Sequence, residues 1–427
     1  MPTPLPNSAA LFDPTDTGTR ARQAWRKMAV ASASIREGAL KTLAQLLESS
    51  PSEVLAANDL DVAAALAAGM SGAMVERLTL NPARMAALSK SVFEVAAMPD
   101  PIGECYDQSE LPNGLKTHRQ RVPLGVLGVV YESRPNVTID VAALAFRTGN
   151  AAILRGGKEA LRTNAALIAL VHTALEVNGL PADVVQFIDD PDRGVLLEFM
   201  EMSDYVDVII PRGGEGLQRF CREHSRIPVI TGGVGICHLF VDASADLGRS
   251  LEVITNAKTQ RPSVCNALDT VLIHRAIASR FIPTLLDHLG ARGVSFRADP
   301  SATPYLAGRH AEPAGVEDFD TEWLDLILGV KVVDSIEEAI EHIEAHGSGH
   351  SDGILTEDAE HAAQFTTLVD SAAVFVNAST RFNDGGQLGL GAEVAVSTQR
   401  LHVRGPMGIR ELTSYKWVVE GNYSVRA

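Results

Sequence analysis

The chain has 427 residues, 46% hydrophobic and 21% charged, a globular balance with enough core to need no disulfide or metal staple. Its 37 basic and 53 acidic side chains leave a net charge of −16, which argues against nucleic acid or an anionic membrane as the main partner. An anionic small substrate stays compatible, because one local basic pocket can oppose the global charge.

Four cysteines, Cys105, Cys221, Cys237 and Cys265, include no C-x-x-C pair, which excludes a zinc ribbon or thioredoxin motif and suits a reducing cytoplasm. The first residues lack the basic and then apolar pattern of a signal peptide, and residues 1–18 read as a loose arm. No apolar run reaches the ~18 residues of a membrane span, so the expected location is cytoplasmic.

From Thr19 to Met98 the pattern is helical. Leu40, Leu43, Leu46 and Leu47 form one apolar stripe, Ala63 to Ala68 belong to a second helix, and a third runs from Pro82 to Ala97. The run PDPIG, Pro99 to Gly103, breaks that texture. Two short segments then flank Asn113-Gly114, a hairpin signal within residues 104–122.

From Leu124 strands alternate with helices. Strands are expected at 126–131, 151–155, 184–188, 206–210 and 227–230, with helices at 138–147 and 160–177. A second α/β region runs from Val234 to Thr398. It holds strands at 237–242, 269–274 and 374–379 and a helix from Ile336 to His346, opened by Ser335 and Glu338 in capping-box spacing. The tail, ending near WVVEGNYSV, suits a terminal strand that pairs with the 104–122 hairpin, within the chain or across subunits. The fold class is α/β, with two mainly parallel sheets.

Neither G-x-G-x-x-G nor G-x-x-x-x-G-K-[ST] occurs. The clusters Gly213-Gly214-Glu215-Gly216 and Gly232-Gly233-Val234-Gly235 each follow an expected strand; they let backbone approach a ligand, or simply turn the chain. His342, Glu344 and His346 read H-x-E-x-H rather than H-E-x-x-H, so they are expected as half-exposed boundary residues and no metal is expected.

Cys265 lies downstream of Lys258 and Arg261, cations that would favour a thiolate; its bland alternative is a small buried hydrophobe. Asn136 sits at the carboxyl end of a strand, where its amide could stabilise an oxyanion or merely cap the next helix. Arg155 and Lys158, after the next strand, could hold a phosphate or be solvated charges.

Taken together, the stretches Val122–Ala160, Ile227–Asp242, Asn256–His274 and Phe375–Gly408, with TSYKW at Thr413–Trp417, resemble the aldehyde dehydrogenase superfamily. The strings R-P-S-V-C-N and H-x-R-G-P-M-G are unusual, and resemble those of its branch that reduces L-glutamyl 5-phosphate in proline biosynthesis.

The resemblance implies an aldehyde-dehydrogenase-like fold of two open α/β domains and a small β oligomerisation arm. The dinucleotide domain would be 1–103 with 123–235, the catalytic domain 236–400, and the arm 104–122 with 401–427. It implies Cys265 as nucleophile and Asn136 as oxyanion donor, with Glu322 near the nicotinamide ribose. Lys158 and Arg155 would lie beside the adenosine ribose, where a lysine favours NADPH; Gly213 and Gly214 join them as cofactor candidates. Arg261, Arg381 and Arg404 would grip phosphate and α-carboxylate.

The segment TGGVG lacks the glutamate of the E-L-G-G-K motif with which aldehyde-oxidising relatives activate water. A reductive enzyme working from an acyl phosphate has no use for that base. The resemblance further implies a homo-oligomer, with glutamate 5-kinase as a candidate partner. The competing readings are oxidation of another small aldehyde, a silent dinucleotide-binding scaffold, and a Cys–His hydrolase using His238 or His274.

Overall fold

In the computed structural model, residues 12–232 and 234–426 are described; residues 1–11, part of the expected loose arm, Gly233 and Ala427 lie outside them. Residues 14–18, expected within that arm, are helical instead: α1 spans Pro14–Val30. Asp13 caps it by accepting from the Thr15 and Asp16 N–H groups, and Pro14 occupies its first turn.

Two compact units divide the chain. One falls within Met1–Thr231, Gly389–Ala395 and Met407–Ala427, the other within Gly232–Leu388 and Val396–Pro406. The hairpin and the tail strand therefore belong to the first unit, and residues 401–406 to the second.

The first unit opens with α1, α2 (Ala33–Ser49), α3 (Pro51–Ala67), the short α4 (Gly72–Leu78) and α5 (Pro82–Ala97). Leu40, Leu43 and Leu47 are fully buried in this layer, as their spacing requires. The arm follows: β1 (Cys105–Glu110) and β2 (Lys116–Pro123) turn at Gly114, whose φ of +82° suits glycine. The tail strand Thr413–Glu420 pairs antiparallel with β2 along its whole length, within this chain. Arg121 and Arg410 share the Glu104 carboxylate beneath it.

The parallel sheet of this unit comes next: β3 (Val126–Tyr131), α6 (Asn136–Thr148), β4 (Ala151–Arg155), α7 (Leu161–Val177), β5 (Val185–Phe187), α8 (Arg193–Met200), β6 (Val208–Arg212) and α9 (Glu215–His224). The strand order is β5-β4-β3-β6, so the chain reverses direction between β3 and β6. Ligands of open α/β sheets gather at the carboxyl ends beside such a switch point.

The expected strand at 227–230 is not one; only Val229 bridges Ile209. Pro228 has no N–H to give the next rung of a ladder.

The second unit carries β7 (Cys237–Val241), α10 (Leu247–Thr259), β8 (Leu268–His274), α11 (Arg275–Gly290), β9 (Ser295–Ala298), β10 (Glu312–Pro313), β11 (Ile327–Val333), α12 (Ile336–His346), β12 (Ser351–Leu355), α13 (Ala359–Leu368) and β13 (Ala373–Val376). All seven strands are parallel, in the order β10-β9-β11-β8-β7-β12-β13. Its cores are Val, Leu, Ile and Phe from β7, β8 and β11 against α11 on one face and α12 and α13 on the other.

His342 is buried rather than half-exposed, packed edge-on against His238 and Phe319. Among the described residues no helix is long and apolar enough to cross a membrane.

Candidate active site

In the second unit the chemistry gathers at the amino ends of the strands. Cys265 precedes β8, Gly235 precedes β7 and Glu322 precedes β11. Gly235 runs so close to the Cys265 backbone that a Cβ there would lie 1.7 Å from the Cys265 carbonyl oxygen. No other residue fits that approach. The Gly235 N–H donates to Glu322 Oε1 at 3.0 Å, and the Cys237 thiol reaches the Cys265 carbonyl at 3.2 Å.

The next residue, Asn266, is held from the other side. Its amide nitrogen donates to the Asn383 carbonyl at 3.0 Å, and Thr380 Oγ1 donates to the Asn266 carbonyl at 2.8 Å. The loop that presents Cys265 is thus fixed by backbone contacts on both flanks. Cys265 itself is half-buried, whereas Cys237 and Cys221 are fully buried and their thiols are pushed up, Cys221 to about 12. Burial disfavours a thiolate at both.

Asp269 ties two of these segments together. One carboxylate oxygen accepts from the Cys237 N–H at 3.2 Å and the other from the Trp323 N–H at 3.1 Å. Lys258 lies 3.9 Å away with no exposed surface, donating to the Leu268 carbonyl at 2.8 Å. The expectation that Lys258 serves the Cys265 thiol is corrected: the last turn of α10 directs its ammonium into the core beside Asp269.

Arg381 is half-buried within electrostatic range of Asp384, Arg261 and Cys265, and its Nε donates to Gln260 Oε1 at 2.8 Å. Arg404 forms an ion pair with Asp370 at 2.5 Å, and its fork is directed to that residue.

In the first unit the chemistry follows the strands. After β3 the chain passes through Ser133 at φ +34°, a strained value for a side-chain-bearing residue, held because Glu159 accepts from both its N–H (2.7 Å) and its hydroxyl (2.6 Å). Pro135 is the cap residue of α6, so the capping alternative for Asn136 fails. Asn136 lies inside the first turn, and its amide nitrogen donates to Asp140 Oδ2 at 2.9 Å.

After β6, Gly214 stands at the cap of α9, and its N–H donates to Glu132 Oε2 at 3.0 Å; that helix end already accepts an anionic oxygen. After β4, Lys158 is exposed with no ion pair among the described residues. Arg155 is different: it is buried, and one guanidinium nitrogen donates to the Pro191 and Asp192 carbonyls at 2.9 and 3.0 Å, so it holds the loop before α8. Asp61 of α3 accepts from Thr163 N–H and Oγ1, satisfying the start of α7 beside Lys158.

Sequence reasoning missed Asp140, Asp269 and Glu132. The first is a carboxylate four residues from Asn136, a spacing that shares one helix face and was the available signal.

A half-buried free cysteine on a loop before a parallel strand, with an asparagine at the switch point of a second parallel sheet, points to a class. The family model described as "Aldehyde dehydrogenase family" matches residues 14–305, and the chain belongs to that family. Within it, the chain is similar to the gamma-glutamyl phosphate reductase of Roseiflexus castenholzii, 54% identical over 96% of this chain and 99% of that one. The enzyme of the same name from Yersinia enterocolitica is 54% identical, over 96% of this chain and 98% of that one. The crystal structure of gamma-glutamyl phosphate reductase from Thermotoga maritima matches with a TM-score of 0.94 and 43% identity, over 97% of this chain and all of that one.

Proposed function

We propose that the chain reduces L-glutamyl 5-phosphate to L-glutamate 5-semialdehyde and releases phosphate, the second step of proline biosynthesis from glutamate. The observation that carries this reading is the Cys265 loop, fixed by Gly235 and Asn383, on a chain 54% identical to gamma-glutamyl phosphate reductase.

The Cys265 thiolate attacks the acyl carbon, and phosphate leaves without a strong general acid. Asn136 and the Cys265 N–H are the oxyanion donors; one such donor is worth ~10²–10³ in rate. The resulting thioester keeps the acyl group on Cys265 while water stays unactivated, because TGGVG contributes no carboxylate. Arg261 and Arg381 are proposed to hold the substrate's anionic groups; the ion pair with Asp370 makes Arg404 the weaker candidate.

The cofactor is a nicotinamide dinucleotide, and the first unit fits one. A helix start that accepts an oxyanion at Gly214, and an exposed, unpaired Lys158, suit its phosphates. Gly213 and Gly214 would take the pyrophosphate side, Lys158 the 2′-phosphate that makes NADPH the preferred form, with Arg155 setting the adjacent loop and Glu322 at the nicotinamide ribose. When bound, the cofactor supplies the hydride for the thioester carbonyl. Cys265 then releases the aldehyde and regains its thiolate.

The arm is proposed to join copies of the chain: Tyr415, Trp417 and Val419 are exposed on one face of the tail strand, with Arg119 stacked on the first two. Glutamate 5-kinase is the proposed source of the labile acyl phosphate.

The test runs the reaction backwards. Purified protein with glutamate 5-semialdehyde, NADP and phosphate should form reduced nicotinamide at a rate that requires phosphate. A rate indifferent to phosphate would move the reading to an enzyme that oxidises another small aldehyde.

A further inference from the structure

We infer that Asp140 is a positioning residue for the reaction: its carboxylate fixes which end of the Asn136 amide faces the substrate. The inference rests on Asn136 being an oxyanion donor, as proposed above.

A primary amide carries two N–H donors on one side and a carbonyl oxygen on the other, and rotating it by half a turn exchanges them. Only the nitrogen side can stabilise an oxyanion; the oxygen would repel it. Asn136 and Asp140 lie one turn apart on α6, and the contact is Asn136 Nδ2 to Asp140 Oδ2 at 2.9 Å. An ionised carboxylate only accepts, so the nitrogen must face it. One N–H is used there and the second is left for the substrate. The backbone offers no substitute, since Asn136 caps nothing and its turn is set by Ser133 and Glu159.

The charged groups facing Asp140 are Arg212, at the end of β6, which favours its anion, and Glu393, which opposes it. Burial is the largest influence and pushes its carboxyl up to about 6. Once protonated, Asp140 can donate as well as accept, so both amide orientations become acceptable and the lock is lost. The orienting effect is therefore present above that value and fades as pH falls through it.

The experiment measures steady-state kinetics in the phosphate-dependent direction for four proteins: wild type, Asp140→Asn, Asn136→Ala and the double variant. Asn136→Ala should lose ~10²–10³ in kcat. Asp140→Asn, near-isosteric but able to satisfy either orientation, should lose about tenfold in kcat with little change in KM. The double variant should be no worse than Asn136→Ala, because without the amide there is nothing to orient.

The wild-type kcat should also show an acid limb near pH 6 that Asp140→Asn lacks. A double variant whose losses multiply would show that Asp140 acts independently of Asn136, and would overturn the inference. So would wild-type kcat in Asp140→Asn when Asn136→Ala is impaired. Full kcat in Asn136→Ala overturns the oxyanion reading itself, and that outcome is distinct from the other two.

Discussion

In the first unit the candidate site residues come after their strands: Glu132 and Asn136 after β3, Lys158 after β4, Gly214 after β6. In the second unit they come before: Gly235 ahead of β7, Cys265 ahead of β8, Glu322 ahead of β11. The packing differs with the end. A Cβ added at Gly214 meets nothing within 4 Å, while one added at Gly235 meets the Cys265 carbonyl at 1.7 Å. The carboxyl ends of a parallel sheet lead into helix starts, which offer N–H groups to a diffusible anion and must stay open to receive it. A nucleophile that forms a covalent bond has the opposite need, a backbone that does not move. Around Cys265, proposed for that role, the second unit offers crowded glycine contacts and the buried Asp269–Lys258 pair rather than a helix end.

The sharpest way to separate these roles is Cys265→Ala. Turnover should fall to background while the first unit still binds reduced dinucleotide, followed by its fluorescence. Measurable turnover in that variant would remove the covalent mechanism. The next effect in size compares two alanines. Gly235→Ala should cost at least roughly a hundredfold in kcat, since a displacement of about 1 Å at the reacting atoms is worth that much. Gly214→Ala, at the helix start proposed to take the pyrophosphate, should raise the KM for the dinucleotide, leave kcat at saturating cofactor within a few-fold of wild type, and cost under about 1 kcal/mol of stability as a weaker helix cap. Equal losses in the two variants would break the contrast between an open end and a crowded one.

How far the sequence reached follows the same division. Local chemistry was readable: the capping box places α12 at Ile336–His346, and Asn113-Gly114 turns the hairpin. Cys265 and Asn136 were singled out by their strings, and the structure places them on the loop before β8 and in the first turn of α6. Contacts between distant segments were not. Gly235 and Cys265 are thirty residues apart, and only the fold brings their backbones together. Lys258 stands seven residues before Cys265, yet the helix phase of α10 turns it to Asp269 instead. Arg155 and Lys158, three residues apart, divide into a buried loop holder and an exposed lysine with no ion pair among the described residues. Ile227–Ile230 had the composition of a strand, but Pro228 removed a donor that composition cannot register.

A further effect, on stability rather than turnover, concerns acid, and here the two units should respond with opposite sign. His342 is buried in the second unit, and burial, with the cations Lys331 and the rings of His238 and His346 around it, pushes it from 6.5 down to about 2. Lys331 lies 3.3 Å from its Nδ1; an ammonium only donates, so the ring accepts there and is neutral. Between pH 6.5 and about 2 the unfolded chain binds a proton that the folded chain does not. Stability from this group is full above that window and falls as acid is added, by up to about 1.4 kcal/mol per pH unit. Asp140 in the first unit has a folded value raised from 3.8 to about 6, so in that interval the folded chain holds the extra proton and gains stability as pH falls. Urea unfolding at pH 7 and pH 5 should therefore show a loss on acidification that His342→Gln reduces and Asp140→Asn enlarges. If both variants shift the acid dependence the same way, the groups do not carry the opposite signs assigned to them, because only a buried neutral histidine and a raised carboxyl bind protons on opposite sides of the folding equilibrium.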